Sequence, residues 1–314
     1  MSHLLDELPT EVEFATSGTT GPPVTWRRTS RQLVAEAEIL AALVRGDGVR
    51  AVVTYAPERH LYGYLFHRLV PRMLGVPVIR AAVTAPLLDP AGGLVVAAVP
   101  SAWWQIERSL PYLRGAAPIT IVHSTATLPD RAGEVLASLS GSRLCELHGS
   151  TETGLVGFRG APGEEWTLAD DVTLAMDAGR PGSQAMRVRS PRLARPAGAA
   201  VPTEHVLDDD VVITGPRTYR LTGRRHLVKV DGHRLDVARV ERDLQARIGA
   251  RVACRVFRDD LRGEWYEVLV SGGEELRRDA VRALAQLLPA AHRPRAVRSS
   301  VSPVSSSARK LDAC

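Results

Sequence analysis

The sequence predicts an α/β fold in which a mostly parallel sheet flanked by helices is followed by a small β subdomain and a small α+β C-terminal domain. Three observations predict this. In the first half of the chain, apolar runs of strand length alternate with helical patterns. Gly, Pro and Asp then separate short alternating segments, and a mixed pattern of strands and helices closes the chain. At 314 residues the chain is also longer than one average domain.

The first domain is predicted over residues 1–160. Its strands are expected at 51–55, 76–79, 94–99, 119–122 and 143–147, where short apolar runs are bounded by turn residues. Helical patterns stand before and between them, at 32–44, 63–74, 102–113 and 130–139. Thr29 and Gln32 form a capping-box pattern ahead of the first of these helices.

Two further domains are predicted after residue 160. Residues 161–222 contain short alternating segments such as 186–190 and 205–215, which indicate antiparallel β structure. Residues 223–314 combine helical patterns at 236–248 and 279–288 with strand patterns, which indicates an α+β module joined near Thr222–Arg225.

Composition excludes several classes of protein. Hydrophobic residues make up 45% and charged residues 24%, as in ordinary globular chains. No run of 18 apolar residues occurs and the N-terminal stretch is acidic, so neither a membrane span nor a secretory signal is expected. The three cysteines, Cys145, Cys254 and Cys314, are too far apart for a metal knuckle or a disulfide framework, and a cytoplasmic location is expected.

The charge distribution argues against nucleic-acid binding and singles out two lysines. The net charge is +5, but the basic residues are spread along the chain and aromatic residues make up only 5%. An acidic partner such as a carrier protein remains open. Of 40 basic residues, only Lys229 and Lys310 are lysines. A residue avoided elsewhere and kept twice is a candidate for chemistry that a guanidinium cannot perform.

Residues 14–23, FATSGTTGPP, are the strongest local motif. Glycines and hydroxyl side chains in such density can present successive N–H and O–H groups to one anion, as phosphate-binding nests do. No Lys-Ser/Thr pair follows Gly21, so the motif is not a P-loop of the GK[ST] kind. The alternative is a flexible turn.

A second motif, His148–Gly154, directly follows a predicted strand. Loops at the carboxyl ends of parallel strands bind ligands in open α/β sheets. Thr151 could therefore bind a phosphate and Glu152 a magnesium ion, the alternative for Glu152 being a solvated loop carboxylate. Residues 223–234 and 307–312 contain the two lysines, and the alternative for Lys310 is a disordered basic tail.

In this order, the four segments resemble the motifs of the adenylate-forming superfamily of acyl- and aryl-CoA synthetases, peptide-synthetase adenylation domains and luciferases. TSGTTGPP resembles its phosphate loop, HGSTET its Y-G-x-T-E motif, GRRHLVKVDGHRL its G-R-x-D-x-(V/I)-K-x-x-G-x-R motif, and RKLD its terminal G-K-(L/I) motif. PERHLYGYLFHRLVPRMLG is similar to the segment that lines the acyl pocket, and HSTATLP to the adenine-facing G-G-A-x-L.

The resemblance implies an AMP-forming acid–thiol ligase that uses ATP and Mg²⁺. A small carboxylic acid attacks the α-phosphorus of ATP to give an acyl-adenylate and pyrophosphate, and the thiol of CoA or of a carrier protein then displaces AMP. A role in secondary metabolism is expected. The C-terminal domain is implied to be a mobile lid that rotates between the two half-reactions.

The resemblance also implies a role for each matching residue. Lys310 bridges the carboxylate and the α-phosphate, Thr151 contacts the α-phosphate, and Glu152 holds the magnesium ion. The implied nucleotide-binding residues are Thr16, Ser17, Gly18, Thr19, Thr20, Gly21, Ser124, Thr125, His148, Gly149, Ser150, Asp209 and Arg224. For the ribose, Asp208 and Asp210 are rivals of Asp209. The implied acyl-pocket residues are His60 and Gly63, although His60 can equally be a half-buried structural histidine. The implied thiolation face comprises Lys229, Gly232 and Arg234.

The chain departs from the family pattern in five places. Val24 stands where the phosphate loop usually ends in lysine, with Arg27 and Arg28 close behind it as candidate substitutes. His148 replaces a tyrosine that stacks on adenine, Arg309 replaces a glycine, and the spacing from the G-R pair to the V-K pair is one residue short. Family members also carry a whole subdomain before the phosphate loop, which begins here at Thr16. The expectation is either a pocket completed by a second copy of the chain or by a partner chain, or a substrate that is small or exposed.

Two other functions remain open. The departures also fit a degenerate adenylate-binding protein that serves as a scaffold or regulator. An enzyme could alternatively stop at the adenylate and pass it to a non-thiol acceptor.

Overall fold

A computed structural model describes residues 2–16, 24–46, 48–81, 92–113, 118–176, 182–224, 227–230, 233–259, 263–300 and 310–312. The described residues up to Gly223 form one compact unit, and those from Arg224 onward form a second. The predicted division into 1–160, 161–222 and 223–314 stays a prediction.

The N-terminal part of the first unit alternates strands and helices. Its elements are α1 (Ser2–Asp6), β1 (Glu11–Thr16), β2 (Val24–Thr29), α2 (Ser30–Val44), β3 (Val49–Thr54), α3 (Leu61–Tyr64), α4 (Val70–Leu74), β4 (Val78–Arg80), β5 (Gly93–Ala98), α5 (Ala102–Leu113), β6 (Ile119–His123), α6 (Arg131–Ala137) and β7 (Arg143–Ser150). A π-helical stretch, Leu65–Leu69, joins α3 to α4.

The rest of the first unit is made of strands. These are β8 (Gly154–Arg159), β9 (Trp166–Leu168), β10 (Thr173–Leu174), β11 (Gln184–Arg189), β12 (Arg195–Pro196), β13 (His205–Gly215) and β14 (Thr218–Arg224). Strands β1, β2 and β12 form a separate three-stranded sheet.

One large sheet runs through the first unit in the order β10-β11-β13-β14-β9-β8-β7-β6-β5-β3-β4. Strands β4, β3, β5, β6 and β7 pair in parallel, as the alternating pattern predicted. At β8 the pairing becomes antiparallel. The β structure predicted after residue 160 therefore extends the same sheet, and the α/β fold class is confirmed.

Both faces of the inner parallel strands are covered, as β5 shows. Val95 and Ala97 of β5 belong to one apolar cluster, while Leu94, Val96 and Ala98 belong to another. Alternate residues of a strand point to opposite faces, so the strand must be apolar throughout. This explains the continuous apolar runs of the sequence.

Helix α2 begins with the predicted capping box. The Gln32 N–H donates to Thr29 Oγ1 at 3.2 Å, and the Thr29 N–H donates to Gln32 Oε1 at 2.9 Å. Thr29→Ala should lower the free energy of unfolding by about 1 kcal/mol, because an N-terminal N–H of the helix loses its acceptor. Urea unfolding measures this, with Thr29→Ser as the control that keeps the hydroxyl. Equal losses in both variants would contradict the assignment.

Cys145 on β7 makes stability depend on pH. Burial raises the pKa of its thiol from 9.0 to about 11. In the unfolded chain the Cys145 thiol ionises at the lower pH. The contribution of the protonated thiol to the free energy of unfolding is therefore complete below pH 9 and is lost as the pH rises to 11. We expect the free energy of unfolding to fall about 2–3 kcal/mol further over that range than in Cys145→Ala. Urea titrations at each pH measure the difference, and parallel curves would contradict it.

The second unit is an α+β module. It contains β15 (Leu227–Val230), β16 (His233–Asp236), α7 (Val237–Ile248), β17 (Val252–Asp259), β18 (Gly263–Ser271), α8 (Glu274–Leu287), a 3₁₀ turn (Ala290–His292), β19 (Ala296–Ser300) and β20 (Lys310–Asp312). Its sheet has the order β16-β15-β18-β17-β20, with β19 paired to β18. The small C-terminal α+β domain is confirmed. No helix in the described part of either unit combines the length and the apolar character needed to cross a membrane.

Candidate functional site

A hydrogen-bonded turn, Ser150–Gly154, lies at the carboxyl end of β7. The Ser150 N–H donates to Thr153 Oγ1 at 3.1 Å, and the Thr153 N–H donates to Ser150 Oγ at 3.2 Å. Short hydroxyl side chains favour such turns because they bond to nearby backbone groups. On one side β7 pairs in parallel with β6, and on the other it pairs antiparallel with β8. The turn thus stands where the parallel part of the sheet ends, which is a ligand-binding position in open α/β sheets.

Two glycines allow the turn to close. A Cβ on Gly149 would clash with the Gly154 carbonyl oxygen. Gly154 has φ +70°, and a Cβ there would clash with the Glu36 carboxylate. A larger residue at Gly149 would therefore open the turn, and one at Gly154 would displace the Glu36 carboxylate.

Glu152 is buried within the turn, with only 8% of its surface exposed. Its Oε2 atom is enclosed and has no hydrogen-bond partner among the described residues. Its backbone carbonyl accepts a hydrogen bond from the Ala194 N–H at 2.8 Å. A buried carboxylate oxygen without a donor is costly unless a cation completes it, so the residue fits a divalent-cation ligand.

The turn rests on a network of buried charges that sequence analysis missed. Arg28, Glu36 and Arg192 are 0%, 3% and 1% exposed. Arg28 Nη1 donates to Glu36 Oε2 at 3.1 Å, and Arg192 Nη1 lies 3.4 Å from the same oxygen. Burial lowers the pKa of the Arg28 guanidinium, and the Glu36 carboxylate opposes that shift, so the side chain stays charged.

A signal for this network exists in the sequence. Glu36 lies among the buried residues of α2, between Leu33 and Leu40. A carboxylate within an apolar helical stripe indicates a buried ionic partner, because an unpaired charge is rarely tolerated there. The pattern does not say which of the many arginines it meets.

His148 is buried at the end of β7 and bonded on both ring nitrogens. Nε2 lies 3.3 Å from Asp209 Oδ2, and Nδ1 lies 2.7 Å from the Tyr219 hydroxyl oxygen. The ring also packs against Trp166, with 5.3 Å between centroids. Since a carboxylate only accepts, Nε2 carries a proton, and in the neutral ring the Tyr219 O–H donates to Nδ1.

This arrangement brings together two residues of the predicted nucleotide site, His148 and Asp209. Asp209 is buried, whereas Asp210 is half-buried and its backbone carbonyl accepts from Thr222 Oγ1 at 3.2 Å. The side chain of Asp208 is not among the described ones. Adenine stacking by His148 and ribose binding by Asp209 stay predictions.

Tyr219→Phe tests the importance of this hydrogen-bond chain. Removing the hydroxyl leaves His148 Nδ1 buried without its donor, which should lower the free energy of unfolding by about 1–3 kcal/mol. Tyr112→Phe is a matched control, because Tyr112 is 60% exposed, and should change stability by less than about 0.5 kcal/mol. Urea unfolding measures both. If the two variants lose equal stability, the hydroxyl does not support His148.

The predicted adenine-facing loop follows the neighbouring strand β6. His123 at the end of β6 is fully buried; Trp103 Nε1 donates to its Nδ1 at 3.0 Å, and its Nε2 lies 3.0 Å from the Ala126 carbonyl oxygen. Thr125 has φ +81°, a backbone conformation that a β-branched residue rarely adopts. Ser124 and Thr125 are thus held at the same sheet edge as the turn, and their nucleotide contacts stay predictions.

The two predicted acyl-pocket residues begin the helix that contains the π-helical stretch. His60 is the exposed residue before α3. Gly63 is buried, and a Cβ there would clash with the Pro57 carbonyl oxygen. Close backbone packing is therefore a structural reason for this glycine, and the role of both residues in a pocket stays a prediction.

Several predicted residues cannot be placed in this way. Ser17, Gly18, Thr19, Thr20, Gly21 and Gly232 lie outside the described residues. Only the backbone is described for Thr16 in β1, Arg224 in β14, Lys229 in β15, Arg234 in β16 and Lys310 in β20. Thr16 pairs with Val24 in the β1–β2 hairpin, so the described residues that flank the predicted phosphate loop in sequence are paired.

Comparisons with known proteins show which proteins this chain resembles. No protein-family model matches the sequence. The chain is 34% identical over 216 residues to a 4-coumarate–CoA ligase of Halorhodospira halophila, covering 64% of this chain and 52% of the relative. It is 34% identical over 176 residues to a 4-coumarate–CoA ligase of Rhodobacter capsulatus, covering 53% and 44%. The chain thus spans about half the length of these curated relatives.

Solved structures share the fold. A malonyl-CoA ligase complex with methylmalonyl-CoA and AMP has a TM-score of 0.63 at 23% identity, covering 93% of this chain and 71% of that one. An amide bond synthetase from Marinactinospora thermotolerans has a TM-score of 0.64 at 20% identity, covering 94% and 66%. The chain therefore shares the fold of these ligases and synthetases, and part of it is similar in sequence to 4-coumarate–CoA ligases.

Proposed function

We propose that this chain activates a carboxylic acid with ATP as the acyl-adenylate and transfers the acyl group to the thiol of CoA or of a carrier protein. The observation that carries the proposal is the Ser150–Gly154 turn, which buries a Glu152 carboxylate oxygen at the end of the parallel strands with no hydrogen-bond partner in the described part of the chain. The similarity of the chain to 4-coumarate–CoA ligases supports this proposal.

In the first half-reaction a carboxylate oxygen attacks the α-phosphorus of ATP. A P–O bond forms, the bond from the α-phosphorus to the bridging oxygen breaks, and pyrophosphate leaves. In the second half-reaction the thiol sulfur attacks the acyl carbonyl carbon, AMP leaves and the thiol proton passes to solvent. Both steps depend mainly on positioning and on stabilising negative charge.

The residues of the turn suit the first half-reaction. The Thr151 hydroxyl would contact the α-phosphate, and Glu152 would hold Mg²⁺ beside the phosphates. Among the described residues, no group of three or more His, Cys, Asp or Glu side chains could hold a metal by itself. A single carboxylate together with substrate phosphates is a common arrangement for Mg²⁺. The bound ion would neutralise charge that develops on the phosphates.

The second unit would supply the mobile cation. We assign Lys310 to the carboxylate and α-phosphate in the first half-reaction, and Lys229, Gly232 and Arg234 to guiding the thiol in the second. The scarcity of lysine in the sequence supports a special role for both lysines.

ATP–pyrophosphate exchange with the full chain tests the proposal. The panel should contain 4-coumarate, other aryl acids, malonate and fatty acids, each with and without Mg²⁺. We expect exchange that requires one of the acids and Mg²⁺. Nucleotide binding without exchange for any acid would favour the scaffold function.

The acceptor needs a second assay. With the acid found by exchange, CoA, a phosphopantetheinylated carrier protein and simple amines should be offered in parallel. We expect a thioester. An amide as the only product would favour a non-thiol acceptor, the reaction type named for one protein of the same fold.

A further inference from the structure

We infer that Arg28 is a positioning residue that holds the Ser150–Gly154 turn, and through it the Glu152 carboxylate, in the geometry that binds a metal–nucleotide complex. The inference rests on the proposed function. Its basis is the hydrogen-bond pattern of one fully buried guanidinium.

Arg28 is hydrogen-bonded to the backbone of the turn at Thr151, directly before Glu152. Its Nε and Nη2 atoms both donate to the Thr151 carbonyl oxygen, at 3.1 and 3.0 Å. Its Nη1 atom donates to Glu36 Oε2 and to the Arg192 carbonyl oxygen, at 3.1 and 2.8 Å. Because the guanidinium is planar and rigid, fixing one end orients the other.

The same network of buried charges is hydrogen-bonded to the backbone of Leu155, directly after Gly154. Glu36 Oε1 accepts from the Leu155 N–H at 2.9 Å, and Arg192 Nη2 donates to the Leu155 carbonyl oxygen at 2.7 Å. Asp171 holds Arg192 with two hydrogen bonds of 2.7 and 2.8 Å. The turn is therefore held on both sides of Glu152, while no described residue donates a hydrogen bond to the carboxylate oxygen Oε2.

Arg28 also connects this turn to the β1–β2 hairpin. It lies on β2, whose first residue, Val24, pairs with Thr16 at the end of β1. One guanidinium thus links the strand that follows the predicted phosphate loop to the turn predicted to contact the α-phosphate and metal.

A merely structural salt bridge is a poor explanation for this arrangement. Buried ion pairs contribute little net stability compared with apolar side chains of similar volume. Besides the Glu36 carboxylate, Arg28 donates hydrogen bonds to backbone carbonyl oxygens of the turn and of a neighbouring segment. The arrangement fixes position more than it adds stability.

Arg28→Lys tests the inference, since it keeps the charge but cannot make the forked contact. The first measurement is Mn²⁺ binding, by electron paramagnetic resonance, in the presence of the non-cleavable analogue α,β-methylene-ATP. We expect the variant to bind Mn²⁺ about tenfold more weakly, while metal-free analogue binding changes less than about twofold. The second measurement is amide hydrogen exchange, which should be about tenfold faster at 149–155.

Arg131→Lys is the matched control. Arg131 is also largely buried, pairs with Glu107 at 2.8 Å and lies over Trp104, away from the turn's hydrogen bonds. It should lose stability without weakening Mn²⁺ binding. If Arg28→Lys does not fold, Asp171→Asn at the more exposed end of the network replaces it, with an expected loss of about threefold in Mn²⁺ binding.

The outcomes separate the two proposals. Wild-type Mn²⁺ affinity and wild-type exchange at 149–155 in folded Arg28→Lys, or in Asp171→Asn where that variant replaces it, would overturn the positioning role alone. Failure of the wild-type chain to bind Mn²⁺ with the analogue would overturn the proposed function and this inference with it. Equal weakening in Arg131→Lys would show a general loss of structure and would also overturn the inference.

Discussion

Lys310→Ala is expected to reduce ATP–pyrophosphate exchange by about 10²–10³-fold, with nucleotide binding changed far less. Negative charge is crowded where the carboxylate meets the α-phosphate, and a cation placed there stabilises the transition state more than the ground state. The loss should therefore appear in kcat. The measurement is the exchange rate at saturating acid and ATP, beside binding of ATP by calorimetry.

Two variants sharpen this prediction. Lys310→Arg keeps the charge but enlarges the head group and should recover less than a tenth of the lost activity. Lys229→Ala removes the only other lysine of the chain and should leave exchange within about threefold, while slowing thioester formation about tenfold. Similar losses of exchange in Lys229→Ala and Lys310→Ala would contradict the division of roles between them.

The architecture of the parallel strands could be predicted because their physical environment is written in the sequence. A strand covered on both faces has no polar side to interrupt it, and residues 94–99 predicted β5, observed at Gly93–Ala98, to within one residue. The capping box at Thr29 was predictable for the same reason, since both its partners are local.

Features set by distant contacts could not be predicted in this way. The continuation of the sheet past β8 depends on pairings such as Tyr219 with Trp166, which no local pattern encodes. The π-helical stretch Leu65–Leu69 has the same apolar pattern as an α-helix. In both cases tertiary packing decides between arrangements that the local sequence permits.

The candidate site likewise has a part that the local sequence predicts and a part that depends on distant contacts. The turn after β7 was predictable from Ser, Thr and Gly following an apolar strand. The charges beneath it were not, because Arg28 and Arg192 are 164 residues apart and meet Glu36 only in the folded chain. Sequence can show that Glu36 needs a partner, but only the fold supplies one.

Glu36→Gln is expected to lower the free energy of unfolding by about 3–5 kcal/mol. Its amide can still accept from the Leu155 N–H, but two buried guanidinium groups lose their common anion. Urea unfolding measures the loss. Glu38→Gln on the same helix is the control; Glu38 makes no ion pair with any described residue, and a change below about 0.5 kcal/mol is expected. Equal losses would mean that Glu36 is not a structural counter-ion.

Replacing both members of the Arg28–Glu36 pair separates stability from positioning. Arg28→Met combined with Glu36→Leu removes opposite charges together and leaves Arg192 paired with Asp171. Such apolar replacement of a buried pair often restores or raises stability, so the double variant should be more stable than Glu36→Gln. It should nevertheless exchange amide hydrogens at 149–155 as fast as Arg28→Lys, because the forked contact to the Thr151 carbonyl oxygen is gone. If the double variant is no more stable than Glu36→Gln, the Arg28–Glu36 ion pair is needed for folding. Positioning of the turn would then not explain why these two residues are charged.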